Sequence, residues 1–491
     1  MSSMKIFISA DHGLAIVYFL QTDILPTLLE AGVEVILLTD DGLKDKIAVQ
    51  FDNPGLIVEG LRLGEARKYQ ENKRPTEQGW LNFLRRVGGS NRINTEAMDS
   101  HIHQVSFEAT GRRKVLMPLM KAAIAGLRSS KTARQWLVNR QMQFSPDLYG
   151  DLFDKYKPDL VVSSTPGWRL DRYLLRQAGS LGIPTAAVVV GWDNPSSYSI
   201  PGAKVDWINC WSDIQKEELV LGSDWDPDSV HIGGIPSYDG YFRKTWLMPR
   251  QEYFNLHGLD PHRKLLGYAC SFITFSPNYQ NIEPLARLVS SNSLGEPCQL
   301  LVRLHPNHFL EEPLFADERR AIQKLADELP HIHVVEPVPL GGELGYYSGE
   351  DMPEKTSMLA YSDVFLTVYS TMVVEASIHN TPVVSICFDA PGGWNKPDRF
   401  SLKLSEIGNW PTHDRFRRSG AGKVALNMDG LVGAINGYLR DPGADEEKRT
   451  AFIRNECTFQ DGMSGIRTAN FLLKTLGLPE KPLNAQLGVS Q

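Results

Sequence analysis

Apolar positions in this chain fall mostly in short, nearly continuous runs separated by segments of helical spacing. That is the pattern of buried parallel strands joined by covering helices. Lys5–Ser9 reads as a strand, Ala15–Ala31 as a helix, Val33–Leu38 as a second strand and Leu56–Glu59 as a third. After a helical stretch the series resumes at Pro158–Ser164 and Ile183–Val190, and Asp206–Cys210 and Val230–Ile232 extend it. One doubly wound domain is expected over residues 1–240. A turn-rich stretch, Gly233–Gly240, and a polar segment to His262 follow, with Gly234 and Pro236 the expected hinge. Alternation restarts at Lys264–Cys270 and continues through Gln299–Leu304, His331–Val335, Val364–Val368 and Pro382–Phe388, which predicts a second domain over 263–460. Residues 461–491 read as a helix, Ser464–Leu476, expected to cross back to the first domain, and a tail. Two such α/β domains in series, each Rossmann-like, would face each other across a cleft between the carboxyl ends of their sheets.

At 491 residues the chain is too long for one core, and 42% hydrophobic with 22% charged residues is the composition of a globular protein. The five cysteines, Cys210, Cys270, Cys298, Cys387 and Cys457, are scattered and odd in number, which argues against a disulfide framework and for a reducing, cytoplasmic setting. The N-terminus enters a strand with no signal pattern, and the longest apolar candidate, Val115–Leu127, is interrupted by Lys121 and too short to span a bilayer. The net charge of −7 is uneven, because residues 61–150 hold 16 Lys and Arg against 7 Asp and Glu. That stretch reads as a basic helical insertion in the first domain. It is either a solvated face or an apron for an anionic acceptor, including a lipid-linked one met peripherally at the inner face of a membrane. Trp80, Phe83, Trp136 and Phe144 lie among these charges, as core or as interface residues. No nucleic-acid partner is expected.

The chemistry concentrates at strand ends. The run Val364–Val368 meets Tyr369-Ser370-Thr371 at the start of a helix, where backbone N–H groups and two hydroxyls suit a phosphate. Glu375, four residues past Thr371, would accept hydrogen bonds from a ribose. Leu301–Asn307 places Arg303, His305 and Asn307 where Pro306 stops a strand of the same domain, as groups able to bind phosphate and steady charge on a departing nucleotide. In the first domain Asp11 and His12 close the first strand, with His12 a candidate base. Asp193, in Gly191-Trp-Asp-Asn-Pro-Ser-Ser197, is a second. Asp40-Asp41-Gly42 is most simply a turn with a helix cap. Gly-x-Gly-x-x-Gly is absent, so no dinucleotide fingerprint is read here, and no metal motif is read either.

In order and spacing, several short stretches resemble the GT-B glycosyltransferases over most of the chain. They are Leu304-His305-Pro306-Asn307, Ser362-Asp363-Val364 running into Tyr369-Ser370-Thr371 with Glu375 and Pro382, Trp211-Ser212 with Gln215 and Glu218-Leu219 before Gly234-Ile-Pro236, and Asp461-Gly462. Within that group the chain is similar to CDP-glycerol glycerophosphotransferase-like enzymes, His-Pro-motif sialyltransferases and UDP-N-acetylglucosamine 2-epimerase. The resemblance implies that His305 contacts donor phosphate, that Ser370 and Thr371 hold it, and that Glu375 binds ribose or donor sugar. It places His12 at the base position of inverting enzymes, although the order here is Asp-His-Gly rather than Gly-His. The phosphotransferases usually carry Ser-Ser followed by Asp where this chain has Ser370-Thr371 and Glu375, and Asp40-Asp41-Gly42 fits the letters of the sialyltransferase base motif. The implied protein is a metal-independent glycosyltransferase with no bound cofactor. It would use a UDP-, CMP- or other nucleotide-sugar and a saccharide or lipid-linked acceptor, in surface-polysaccharide or glycolipid assembly. A UDP-sugar 2-epimerase, a CDP-alditol phosphotransferase and a non-catalytic binding scaffold are the alternatives.

Overall fold

The structure, a computed structural model, describes residues 3–271, 278–310, 312–389 and 402–483; the expected tail beyond 483 lies outside them. Its strands are β1 (Lys5–Ser9), β2 (Glu34–Thr39), β3 (Leu56–Gly60), β4 (Leu160–Ser163), β5 (Thr185–Val188), β6 (Trp207–Cys210), β7 (Val230–Ile232), β8 (Lys264–Ala269), β9 (Cys298–Arg303), β10 (Ile332–Val335), β11 (Pro339–Gly341), β12 (Tyr346–Tyr347), β13 (Val364–Thr367), β14 (Val383–Ile386) and β15 (Lys423–Ala425). Seven form one parallel sheet in the order β3-β2-β1-β4-β5-β6-β7, and six form a second in the order β10-β9-β8-β13-β14-β15. The central strands are buried along their whole length, which is why they read as unbroken apolar runs. Strand order reverses between β1 and β4 in the first sheet and between β8 and β13 in the second. At such switch points the helices diverge to opposite faces and leave a crevice at the strands' carboxyl ends.

Three features depart from the expected pattern. The helix expected over Ala15–Ala31 is two, Ala15–Leu20 and Ile24–Glu30, because Pro26 has no N–H to return to Thr22 and the ladder stops there. β15 is a three-residue edge strand, too short and too polar to stand out. The antiparallel pair β11–β12 leaves the second domain to lie on the first. There the Tyr346 hydroxyl accepts from Thr39 Oγ1 at 2.9 Å and donates to the Ala10 carbonyl, and Tyr347 N–H donates to Gly13 O at 2.9 Å. A side chain at Gly13 would put its Cβ 2.9 Å from Gly345 O, so only glycine allows this approach.

The helix Ser464–Thr475 packs on the first domain: Ala469, Phe471, Leu472 and Leu473 join the core that holds Ile24, Leu25 and Leu28. Its first turn is held by the buried Asp239 carboxylate, which accepts from Ser464 N–H at 3.0 Å and Gly465 N–H at 2.7 Å. Between β3 and β4, among the described residues, come six helices: Leu63–Asn72, Pro75–Val87, Glu96–Glu108, Gly111–Ser129, Lys131–Gln141 and Gly150–Tyr156. Val87, Met98, Ile102, Met117, Met120 and Ile124 give this layer a small core of its own, with Trp80 and Phe83 packed against it. Phe144 is buried too, so of the four aromatics only Trp136 is an exposed one.

Candidate functional site

Both switch points carry residues singled out from the sequence. Asp11 and His12 follow β1 at the first, and Tyr369, Ser370 and Thr371 follow β13 at the second. Tyr369 sits at φ +38°, a left-handed conformation costly for an aromatic residue. It turns the chain so sharply that Ser370 can cap the following helix, its hydroxyl accepting from Met372 N–H at 3.2 Å. Among the described residues the N–H groups of Ser370 and Thr371 meet no protein acceptor, so two donors and two hydroxyls collect at one point.

The two loops meet through a residue that the sequence did not mark. The His413 ring lies 4.4 Å from that of Tyr369 and 6.1 Å from that of Trp192, between centroids, and so joins the Tyr369 turn to the loop that carries Asp193. Burial, reinforced by the nearby Arg415 charge, holds His413 neutral, with its pKa down at about 3. Asp193 has its pKa raised by burial, opposed by the cations Arg86 and Arg415. Beneath this contact Trp192 Nε1–H donates to Glu456 Oε2 at 2.7 Å. Arg415 bridges Glu456, at 2.9 and 3.1 Å, to Glu218 of the first domain, at 2.7 Å. The neighbouring seam is closed by Asn94, which donates to Asn409 O at 3.0 Å, and by Trp410 Nε1–H to Ser100 Oγ at 2.8 Å. Nothing in the charged stretch Pro411–Ser419 betrays these roles in one dimension, since each depends on partners 41 or more residues away.

The other expected site residues are placed as follows. Asp11 is fully buried, and its carboxylate accepts from Asp171 N–H at 2.7 Å, so it ties β1 to the start of the helix that follows β4 and faces no open space. Burial and the adjacent carboxyl push Asp171 well up, and burial raises Asp11. His12 Nδ1 accepts from Leu14 N–H at 3.2 Å, and burial beside Arg169 lowers its pKa to about 3. A neutral ring whose Nδ1 is an acceptor carries its proton on Nε2. His12 is thus arranged as a donor, and the base role expected for it does not fit this tautomer. Arg169, on the loop after β4, is a cation beside it that sequence reasoning missed.

His305 caps the turn Pro306–Phe309 by accepting from Asn307 N–H at 3.1 Å through Nδ1, which likewise leaves the proton on Nε2. Burial, with His308 and Arg303 nearby, lowers its pKa to about 4. Asn307 lies half-buried on that turn. Arg303 points elsewhere: it is buried in a double ion pair with Asp351 and Glu354 and braces the second domain rather than the cleft. Glu375 is buried too, its Oε2 taken by Tyr241 Oη at 2.6 Å and Lys355 Nζ at 2.6 Å, so one oxygen of the acceptor expected for a ribose is already engaged. Gly234, at φ +85°, lies against the C-terminal crossover, where an added Cβ would come 2.4 Å from Ser464 Oγ; Pro236 opens the next turn. The Asp40-Asp41 carboxylates cap backbone N–H groups of Gly42, Arg62, Leu63 and Glu343. Among the described residues no cluster of three or more His, Cys, Asp or Glu is arranged to hold a metal. No described helix is long and apolar enough to cross a membrane.

Two parallel sheets facing each other, with the C-terminal helix returned to the first, define a GT-B-like α/β protein. Solved structures agree over nearly the whole chain. The UDP-GlcNAc 2-epimerase of Neisseria meningitidis, bound to UDP-GlcNAc, is similar at a TM-score of 0.53 and 12% identity, covering 96% of this chain and 100% of its own. The S. aureus MnaA–UDP complex matches at 0.52 and 13%, covering 98% and 99%. A glycosyltransferase from Rickettsia africae matches at 0.51 and 11%, covering 96% and 100%. No family model matches the sequence. No curated protein matches it either. The likeness is therefore one of fold.

Proposed function

We propose that this protein is a nucleotide-sugar-dependent glycosyltransferase that holds the donor on its second domain and the acceptor on its first. The observation that carries the reading is the meeting, through His413, of the strained Tyr369-Ser370-Thr371 turn with the Trp192-Asp193 loop. Ser370 and Thr371 take the donor phosphates on their N–H groups and hydroxyls. His305 and His12, neutral and protonated on Nε2, donate to the charge that develops on the leaving phosphate. Asp193, whose pKa burial raises, accepts the acceptor's proton. Glu375 takes the ribose or donor sugar on its carboxylate, of which Oε2 is already held by Tyr241 and Lys355. Closure about residues 233–262 keeps water from the activated sugar. The acceptor is a saccharide or a lipid-linked one, which fits a place in surface-polysaccharide or glycolipid assembly.

The 2-epimerase reading is the rival, favoured by two of the similar structures, which hold UDP or UDP-GlcNAc. It needs several carboxylates around the sugar. Asp11 and Asp40 are spent on backbone N–H groups, leaving Asp193 to serve alone among the first-domain candidates. NMR of UDP-GlcNAc incubated with the protein separates the two: a new sugar without acceptor supports the epimerase, and release of UDP only when acceptor is added supports the transferase. Alanine at His305 abolishes transfer, and full activity in that variant refutes the assignment.

A further inference from the structure

We propose that the outward crest of the helix Gly111–Ser129 docks the protein on an anionic lipid bilayer surface. This helix is apolar on two opposite sides. Met117, Met120, Ile124 and Leu127 face inward and are buried. At 100° per residue, Val115, Leu119, Ala122 and Gly126 form a stripe on the far side. There Val115 is 78% exposed and Leu119 71% exposed, while Ala122 and Gly126 are also in the open. A Cβ built on Gly126 would meet nothing within 4 Å, so among the described residues nothing covers the stripe at that point. A helix turned to water normally presents charge there, and one that is apolar all round is normally covered.

The charges beside the crest say what covers it. From Ala109 to Pro146 the chain carries eight Lys and Arg and no Asp or Glu. Arg128, Arg134 and Arg140 are committed to Asp99, Asp224 and Glu77. Arg112, Arg113, Lys114, Lys121 and Lys131 are exposed, and among the described residues none of them meets a carboxylate. A second copy is a poor occupant. Crest to crest, it would set these cations against their own counterparts, and two large side chains with an alanine and a glycine fall far short of the roughly 800 Å² per partner that a stable dimer buries. An anionic bilayer answers both features at once, taking the apolar residues at its acyl boundary and the cations at its headgroups. The inference does not depend on the transferase reading.

The test is flotation of the full chain with phosphatidylcholine vesicles, with and without phosphatidylglycerol, at low and high salt. The parent floats with the anionic vesicles, and binding weakens as salt rises. The double substitution Val115→Ser, Leu119→Ser removes only exposed groups, which circular dichroism checks, and lowers binding about tenfold. Lys114→Gln and Lys121→Gln each lower it about fivefold. A parent that stays in solution with anionic vesicles at low salt overturns the proposal, as does a serine variant that binds like the parent. Self-association of the parent that the serine variant loses would overturn it in favour of a second copy.

Discussion

Replacing Arg415 by methionine tests whether the seam between the domains is held by a buried charge. The guanidinium contacts Glu218 at 2.7 Å and Glu456 at 2.9 and 3.1 Å, and the side chains of both carboxylates are at most 10% exposed. Methionine fills much of the volume but leaves two carboxylates without a cation. Breaking a buried pair from one side costs about 3–5 kcal/mol, mostly for the charge left behind. The pH dependence carries the sign. Burial already raises Glu218 to about 7 from an ordinary 4.5, with Arg415 holding it down and Glu456 pushing it up. A carboxyl whose folded pKa lies above its unfolded one binds more protons when folded, so its contribution to stability falls as pH rises between those two values. Removing Arg415 lifts Glu218 further, so the variant's deficit is largest at neutral pH and above. Near pH 5 it shrinks to the packing loss, about 1–2 kcal/mol. Urea unfolding followed by tryptophan fluorescence, at a series of pH values, measures this, and Trp192 reports from inside the cluster. Adding Glu218→Gln to the variant recovers part of the loss, since the two changes share a partner. A deficit below about 1 kcal/mol at neutral pH, or one that does not change with pH, refutes the reasoning.

Three further outcomes are expected. The pair Ser370→Ala, Thr371→Ala weakens UDP binding by about 10- to 100-fold in calorimetry, two charge-assisted hydrogen bonds being lost, with little change in unfolding. Gly234→Ala lowers stability by about 1–3 kcal/mol in denaturant titration, because alanine is strained at φ +85° and its Cβ strikes Ser464. His413 and His12 are held down at about 3, so the unfolded chain takes up protons there first and stability falls as pH drops below about 6.5. His413→Gln makes that acid limb of the stability curve shallower.

The sheets were legible because parallel strands buried on both faces leave few polar positions: β1 and β7 begin and end where the apolar runs do, and others differ by a residue or two at their ends. β15 was not, since Lys423-Val-Ala425 at an edge carries too little apolar signal. The Tyr369 turn and the Asp193 loop were visible as polar clusters after strands. His413, Arg415 and Glu456 were not, because a buried ion pair inside charged helices reads as solvated surface until its partner is placed beside it. Arg303 shows the converse error, a strand-end cation whose carboxylates arrive from Asp351 and Glu354. His12 was found by position, but its role turns on which nitrogen meets Leu14 N–H, a matter of ångströms that no spacing records.

The helix Ser464–Thr475 has a consequence for biosynthesis. Phe471, Leu472 and Leu473 complete a core begun by Ile24, Leu25 and Leu28, so the first domain emerges from the ribosome with an open hydrophobic flank and waits, through synthesis of the whole second sheet, for the segment that seals it. The order of translation and the order of folding therefore differ in this protein. A chain interrupted after residue 460 would carry a second domain able to close and a first domain that is not, a natural substrate for chaperones and proteases.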